Sequence, residues 1–215
     1  MRLDHLAYAA GPEGLTSCMQ RLGSHLGAGF TDGGIHPRFG TRNFVLPLAN
    51  GCYVEAVEAL DHPAAETAPF GQAVRARAEL GGGWLGWVVA VDDIGPLEQR
   101  LGRSAVPGHR VRPDGFDLHW KQLGVLNLVD DPQLPFFVQW ESDRAHHPSN
   151  GGDGVSLGGL EISGDPGVIS GYLGTPVDDP LDNVTVQWLD PAEYEGQTGV
   201  ITAHFQTNHG AVHID

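Results

Sequence analysis

Cysteine is almost missing from this chain of 215 residues: Cys18 and Cys52 are the only two, and they form no C-x-x-C pair. That excludes a disulfide framework and fits reduced thiols in a cytoplasm. Basic residues are also few. Lys and Arg number 12 against 27 Asp and Glu, for a net charge of −15. Such a chain repels nucleic acid and anionic membranes. No apolar run approaches the ~18 residues that a membrane helix needs. No secretory hydrophobic region opens the sequence. The familiar catalytic signatures are lacking too: there is no G-x-S-x-G, no Walker loop, no H-E-x-x-H and no Rossmann fingerprint. No organic cofactor is indicated.

What the chain does have is glycine and proline, 31 and 15 residues. Turns are therefore many, and strands joined by turns are expected over long helices. Arg2–Ala10 reads as a strand, with Leu3, His5 and Ala7 on one face. Leu15–Leu26 has helical spacing and a stop at Gly27. Gly33–Asn43 reads as a loop, Asn43–Leu48 as a short strand, and Asn50-Gly51 as a tight turn. Tyr53–Glu58 alternates with period two, so Val54 and Ala56 suit a face pressed on a helix while Glu55 points the other way. Ala64–Leu80 has a helical rhythm. The order then begins again: strand Trp84–Val91, a short helix with Ile94, Leu97 and Leu101 on one face, a basic loop Gly108–Gly115, and strands Phe116–Gln122 and Leu134–Glu141. "VEALDHPAA" and "WESDRAHHPS" close the two stretches alike. A third opening strand, Val155–Ser163, starts a further and more diverged copy. The expected fold is α+β: tandem βαβββ units, 1–80 and 84–148, forming a cupped mixed sheet, with 155–215 as a partial third unit packed on them.

A carboxylate in mid-strand among Tyr, Val and Ala is costly to bury unless it is paired. Glu55 with His5 is the sharpest pair in the sequence. They read as two ligands to a divalent ion, as a metal-free acid–base pair, or as separate structural residues, Glu55 pairing an arginine such as Arg42. The stretch His36-Pro37-Arg38-Phe39-Gly40-Thr41-Arg42-Asn43 concentrates cations, an imidazole and an amide. An arginine fork there, Arg38 or Arg42, suits a carboxylate or phosphate. It also suits plain pairing with surface acids. Asp117, His119 and Lys121 share a strand face that either lines a cup or is solvated. Trp87 and Trp140 read as aromatic walls, and Trp84 and Trp120 as core. His62 and His146-His147 precede prolines and read as turn residues. Cys18 and Cys52 read as buried and inert.

"LDHLAYAA", "GGIHPRFGTRNFVLPL", "YVEAVEALDHP", "WLGWVVAV" and "RPDGFDLHWKQLG" resemble the vicinal oxygen chelate superfamily of glyoxalases, extradiol dioxygenases and bleomycin-resistance proteins. Within it they are similar to the bacterial glyoxalase-like domain family. The resemblance implies metal ligands on the first and last strands of each unit. His5 and Glu55 match those positions in the first unit, and Trp87 and Gln139 in the second. It therefore implies a divalent ion such as zinc, manganese, iron or nickel held by His5, Glu55 and Gln139, with His213 as a further candidate. It implies a lyase, isomerase or dioxygenase acting on a small oxygenated or acidic substrate, or a non-catalytic sequestering protein. Arg42, Arg38, His36, Asn43, Trp87, His119, Lys121 and Trp140 are the residues expected around the ligand. The expected partner is a small molecule, in a cup closed within one chain or across a homodimer.

Overall fold

The computed structural model describes all residues from Met1 to Asp215. The strands are β1 (Arg2–Ala9), β2 (Thr31–His36), β3 (Thr41–Pro47), β4 (Tyr53–Ala59), β5 (Gly83–Ala90), β6 (Val106–Val111), β7 (Asp117–Leu123), β8 (Phe136–Trp140), β9 (Val155–Ser163), β10 (Thr185–Leu189), β11 (Gly199–Thr207) and β12 (Gly210–Ile214). The helices are α1 (Gly14–Leu26), α2 (Pro63–Thr67), α3 (Pro69–Glu79), α4 (Gly95–Leu101), α5 (Asn127–Asp130) and α6 (Pro166–Leu173). The first eight strands curl into a closed barrel in the order β1-β4-β3-β2-β6-β7-β8-β5. The last four form a separate sheet, β10-β9-β11-β12. The fold is thus α+β, as expected. No helix is long and apolar enough to cross a membrane.

Within the barrel, β1 runs parallel to β4 and β5 parallel to β8, while β1 and β5 pair antiparallel. Strand alternation then sorts the side chains. Leu6, Val54 and Ala56 face outward, into a core shared with Leu15, Cys18 and Leu22 of α1 and with the second sheet. Ala7, Val57, Val88, Leu118 and Val138 face inward. Helix α3 adds Phe70, Ala73 and Val74 to that inner core. The expected helix over 64–80 is broken at Ala68-Pro69, because Pro69 has no N–H to donate and holds Ala68 in an extended conformation (φ −82°, ψ 134°).

Two stretches expected as loops are strands. Gly33 and Gly34 lie in β2, and Gly108 in β6, where glycine ordinarily argues against a strand. Here the reason is space. A Cβ on Gly34 would stand 1.9 Å from the carbonyl oxygen of Val111, and one on Gly108 would stand 2.5 Å from the Trp120 indole. The barrel closes at that point through a single paired position, Ile35 opposite Val111. Gly34 also has φ +106°, a conformation that side chains rarely take.

The second sheet is fastened to the back of β1. The Asn183 side chain accepts from the Leu3 backbone N–H at 2.9 Å and donates to the Leu3 carbonyl at 3.1 Å. Trp84 of β5 donates its indole N–H to the carbonyl of Ile214 at 3.0 Å. Trp87 lies against Trp188 of β10, with ring centres 6.3 Å apart.

Gly34→Ala should destabilise the fold by about 2–4 kcal/mol, since steric clash and a left-handed φ act together. A lowered urea midpoint with an unchanged slope is the expected result, and an unchanged midpoint would refute closure at this contact.

Candidate active site

The barrel holds a small central cavity, with about 30 Å³ of free room. An eight-stranded barrel is just wide enough to be filled by side chains or to hold one small ligand. Polar groups enter the cavity from three strands of the first half and two of the second: His5, His36, Tyr53, Glu55, Arg110 and Gln122. The remaining wall is largely aromatic, from Phe39, Phe70, Trp120, Phe136 and Trp140.

Glu55 is 4% exposed. Its Oε1 accepts from the Asn43 amide at 2.5 Å, and the His36 Nε2 stands 3.7 Å from the same oxygen. The His5 Nε2 lies 3.7 Å from Oε2. The carboxylate is therefore bracketed by two imidazoles. Each ring is held from behind on Nδ1: His5 by Asp4 at 2.8 Å, and His36 by the Thr41 hydroxyl at 2.9 Å. His5 also stacks on Tyr53, with centroids 4.5 Å apart. Burial pushes the His36 pKa well down, and the Arg110 charge adds to this, so the ring is neutral at neutral pH. Burial likewise drives the Tyr53 phenol up, reinforced by the charges of Asp4 and Glu55.

Asp4 is the member that alternation conceals. Period two assigns it to the face opposite His5. A β-bulge intervenes: Leu3 pairs with Val89 and His5 with Val88, leaving Asp4 as the extra residue. Asp4 is wholly buried. It accepts from the Trp140 indole N–H at 3.0 Å and bonds His147 Nε2 at 3.0 Å, besides His5. Burial alone would raise its pKa, but the hydrogen bonds from His147 and His5 outweigh this and hold the carboxylate well below its usual range. His147, expected as a turn residue, is thus part of the site's support. His62 does cap α2, accepting from the Ala64 N–H at 3.1 Å.

Arg110 also went unread, because its strand looked like a loop. It is 4% exposed and faces the cavity, and its Nε has no hydrogen-bond partner. Burial lowers its pKa, yet a guanidinium remains charged. The expected anion-binding arginines lie elsewhere. Arg42 sits on the outward face of β3 beside Asp32 at 3.5 Å, and the exposed Arg38 donates to the Pro107 carbonyl at 2.9 Å. Asn43 and His36 are with Glu55, and Trp140 lines the cavity.

The other expected residues are placed outside. Asp117, His119 and Lys121 form the wet face of β7, where His119 pairs with Asp117 at 3.3 Å and Lys121 with Glu141 at 3.7 Å. Their neighbours Trp120 and Gln122 point in instead, joined by an indole hydrogen bond of 2.9 Å. Trp87 faces the second sheet and donates to the Gln133 carbonyl at 3.1 Å. Gln139 turns outward, and its Oε1 accepts from the Ile94 N–H at 3.0 Å, because Phe136, Val138 and Trp140 take the inward positions of β8. His213 lies opposite His204 in the second sheet.

The expected metal set is therefore not assembled. Gln139 and Trp87 point away from His5 and Glu55. His36 approaches the other oxygen of Glu55, which Asn43 already holds, and a buried guanidinium faces the same space. No three His, Cys, Asp or Glu side chains are grouped to hold a metal ion. His5, His36 and Glu55 meet in the cavity, and the expected third ligand, Gln139, is not among its lining residues.

The glyoxalase-like domain model matches residues 3–166. The chain belongs to the glyoxalase-like domain family. This is the family that the sequence resembles. No curated protein matches the chain. A hypothetical protein from Staphylococcus aureus shares the fold at 16% identity with a TM-score of 0.63, over 87% of this chain and 86% of that one. Methylmalonyl-CoA epimerase from Mycobacterium tuberculosis superposes at 0.44 and 14% identity, over 67% of this chain and 89% of its own. A Streptomyces coelicolor methylmalonyl-CoA epimerase in complex with 2-nitronate-propionyl-CoA superposes at 0.40 and 15%, over 66% and 99%.

Asp4→Asn should cost about 3 kcal/mol at neutral pH, since it breaks a buried charged network. The folded-state pKa of Asp4 lies below its unfolded value, so its contribution is full above pH about 3.9 and is lost as the pH falls through the folded value. Urea unfolding from pH 7 down to pH ~2.5 should show a flatter acid limb in the variant. Parallel limbs would refute the ionised, buried Asp4.

Proposed function

We propose that this protein is a small-molecule enzyme of the isomerase type, which moves a proton at a carbon next to a carbonyl. The observation that carries the reading is the buried Glu55 carboxylate set between two imidazoles, each anchored on its far nitrogen. Glu55 takes the proton. The C–H electron pair moves into the carbonyl and leaves an enolate oxygen. A neutral His36 that accepts the Thr41 hydroxyl on Nδ1 presents an Nε2–H to that oxygen. His5 gives its Nδ1–H to Asp4, so its Nε2 is free to relay the proton from Glu55 back to carbon. The aromatic wall excludes water, which strengthens each of these interactions. Of the expected classes of lyase, isomerase and dioxygenase, the isomerase is the one that Glu55 and two imidazoles serve through proton transfer alone.

The same reading takes β1-α1-β2-β3-β4 and β5-α4-β6-β7-β8 as two copies of one βαβββ unit facing each other across the cavity. In this reading they span 1–80 and 84–148, with 155–215 as a diverged third. The element order repeats, and in each copy the first strand runs parallel to the last. A sequestering module is the second reading, favoured by Trp87 and Gln139 standing where second-unit ligands are expected.

Exchange of the C3 protons of phenylpyruvate in deuterated water, followed by proton NMR, tests the assignment. The protein should accelerate exchange above the buffer rate, and Glu55→Gln should lose about 10²–10⁴-fold of that acceleration. Equal acceleration by both would refute Glu55 as the base. Saturable binding without acceleration would favour sequestration.

A further inference from the structure

We infer that the ligand of this cavity is a small aromatic or planar carboxylate, with its anionic end held by Arg110 and its flat body between the aromatic walls. The inference rests on the reading that this cavity is the ligand site, and it adds the ligand's chemistry.

The case begins with the state of Arg110. A guanidinium taken out of water is costly unless it is paired. Proteins pair almost all such groups. The neighbouring carboxylates make their contacts elsewhere: Glu55 with Asn43, His5 and His36, Asp32 with Arg42, and Asp114 with Arg112. The Arg110 Nε has no acceptor. The approach is also kept open by glycine. A Cβ on Gly33 would stand 2.9 Å from Arg110 Nη1 and 2.2 Å from Asn43 Oδ1, so any other residue there would displace both side chains. A buried, charged fork with an unused donor, aimed into a cavity, has the geometry that recognises a carboxylate through parallel N–H bonds.

Position then orients the ligand. Arg110 lines the inner cavity and also a larger outer cleft bordered by Arg112, Asp114, His146 and Asn150. It is the one residue common to both. A carboxylate on Arg110 therefore sits at the doorway, and the rest of the molecule points inward, where about 30 Å³ is free and the rings part to admit it. What it meets there is flat and apolar: Phe39, Phe70, Trp120 and Phe136, with Glu55 on one side. Ring faces and edges favour a planar partner. Glu55 is the only carboxylate in the cavity, so one further negative charge has one guanidinium to meet and a dianion has no second cation. The ligand is a monoanion.

Phenylacetate and its neutral isostere phenylacetamide are the probes, titrated by tryptophan fluorescence and by calorimetry on the full chain. Phenylacetate should bind about tenfold or more tightly than the amide. Arg110→Gln should erase that preference, and Arg110→Lys should keep part of it, since it retains charge without the fork. Circular dichroism checks that each variant folds, and the lysine variant carries the test if the glutamine variant does not. Equal affinity for acid and amide in the wild type, a preference that survives Arg110→Gln, or no binding of either probe would each overturn the inference. A wild-type protein that binds phenylacetate but accelerates no exchange sinks the catalytic reading and leaves this one standing.

Discussion

The cavity's geometry depends on one buried charge. Asp4 sits at full burial and keeps its negative charge, because nitrogen groups on three separate segments converge on it. His5 is its chain neighbour, Trp140 ends β8, and His147 lies in the turn that follows. A lone carboxylate in that place would be neutralised or expelled. With its partners it becomes a knot that ties β1 to the end of β8 and the turn after it. The same knot sets the His5 ring, whose outer nitrogen then has a single direction to face. Fold stability and site geometry thus share one set of hydrogen bonds.

Much of this was legible in the residues. Alternation in Tyr53–Glu58 put Glu55 inward, and the order of elements gave the fold class. Parity explains the failures. A side chain's face in a strand changes with a shift of one residue. Gln139 and Trp87 were each assigned inward and are each one position from a residue that is, Val138 and Val88. Asp4 was lost to a bulge, which no composition rule detects. Arg110 and the start of β2 were lost because glycine and proline mimic loops, while here they make room where β2 meets β6 and where Gly108 meets the Trp120 ring. His36 and Asn43 were singled out for the right neighbourhood, on the expectation of a loop rather than of two paired strands.

Charge operates here on two scales. The chain as a whole carries −15, which disfavours anions at long range. Salt screens that field within about 8 Å at physiological strength. Inside the barrel the local balance differs, with His36 neutral, Asp4 surrounded by nitrogen groups and Arg110 uncommitted. Global acidity and a cation-bearing cavity are therefore compatible. The first keeps polyanions off the surface, and the second leaves a guanidinium free for the proposed carboxylate.

The clasp between Asn183 and Leu3 reaches further than its two hydrogen bonds suggest. Asn183 lies outside the stretch that defines the family, yet it grips the residue immediately before the bulge that turns Asp4 inward. The C-terminal sheet is thus a brace for the cavity rather than an appendage. Mechanical strain on that sheet, whether from a fused tag or from a docked neighbour, travels along one short run of backbone to the imidazole of His5.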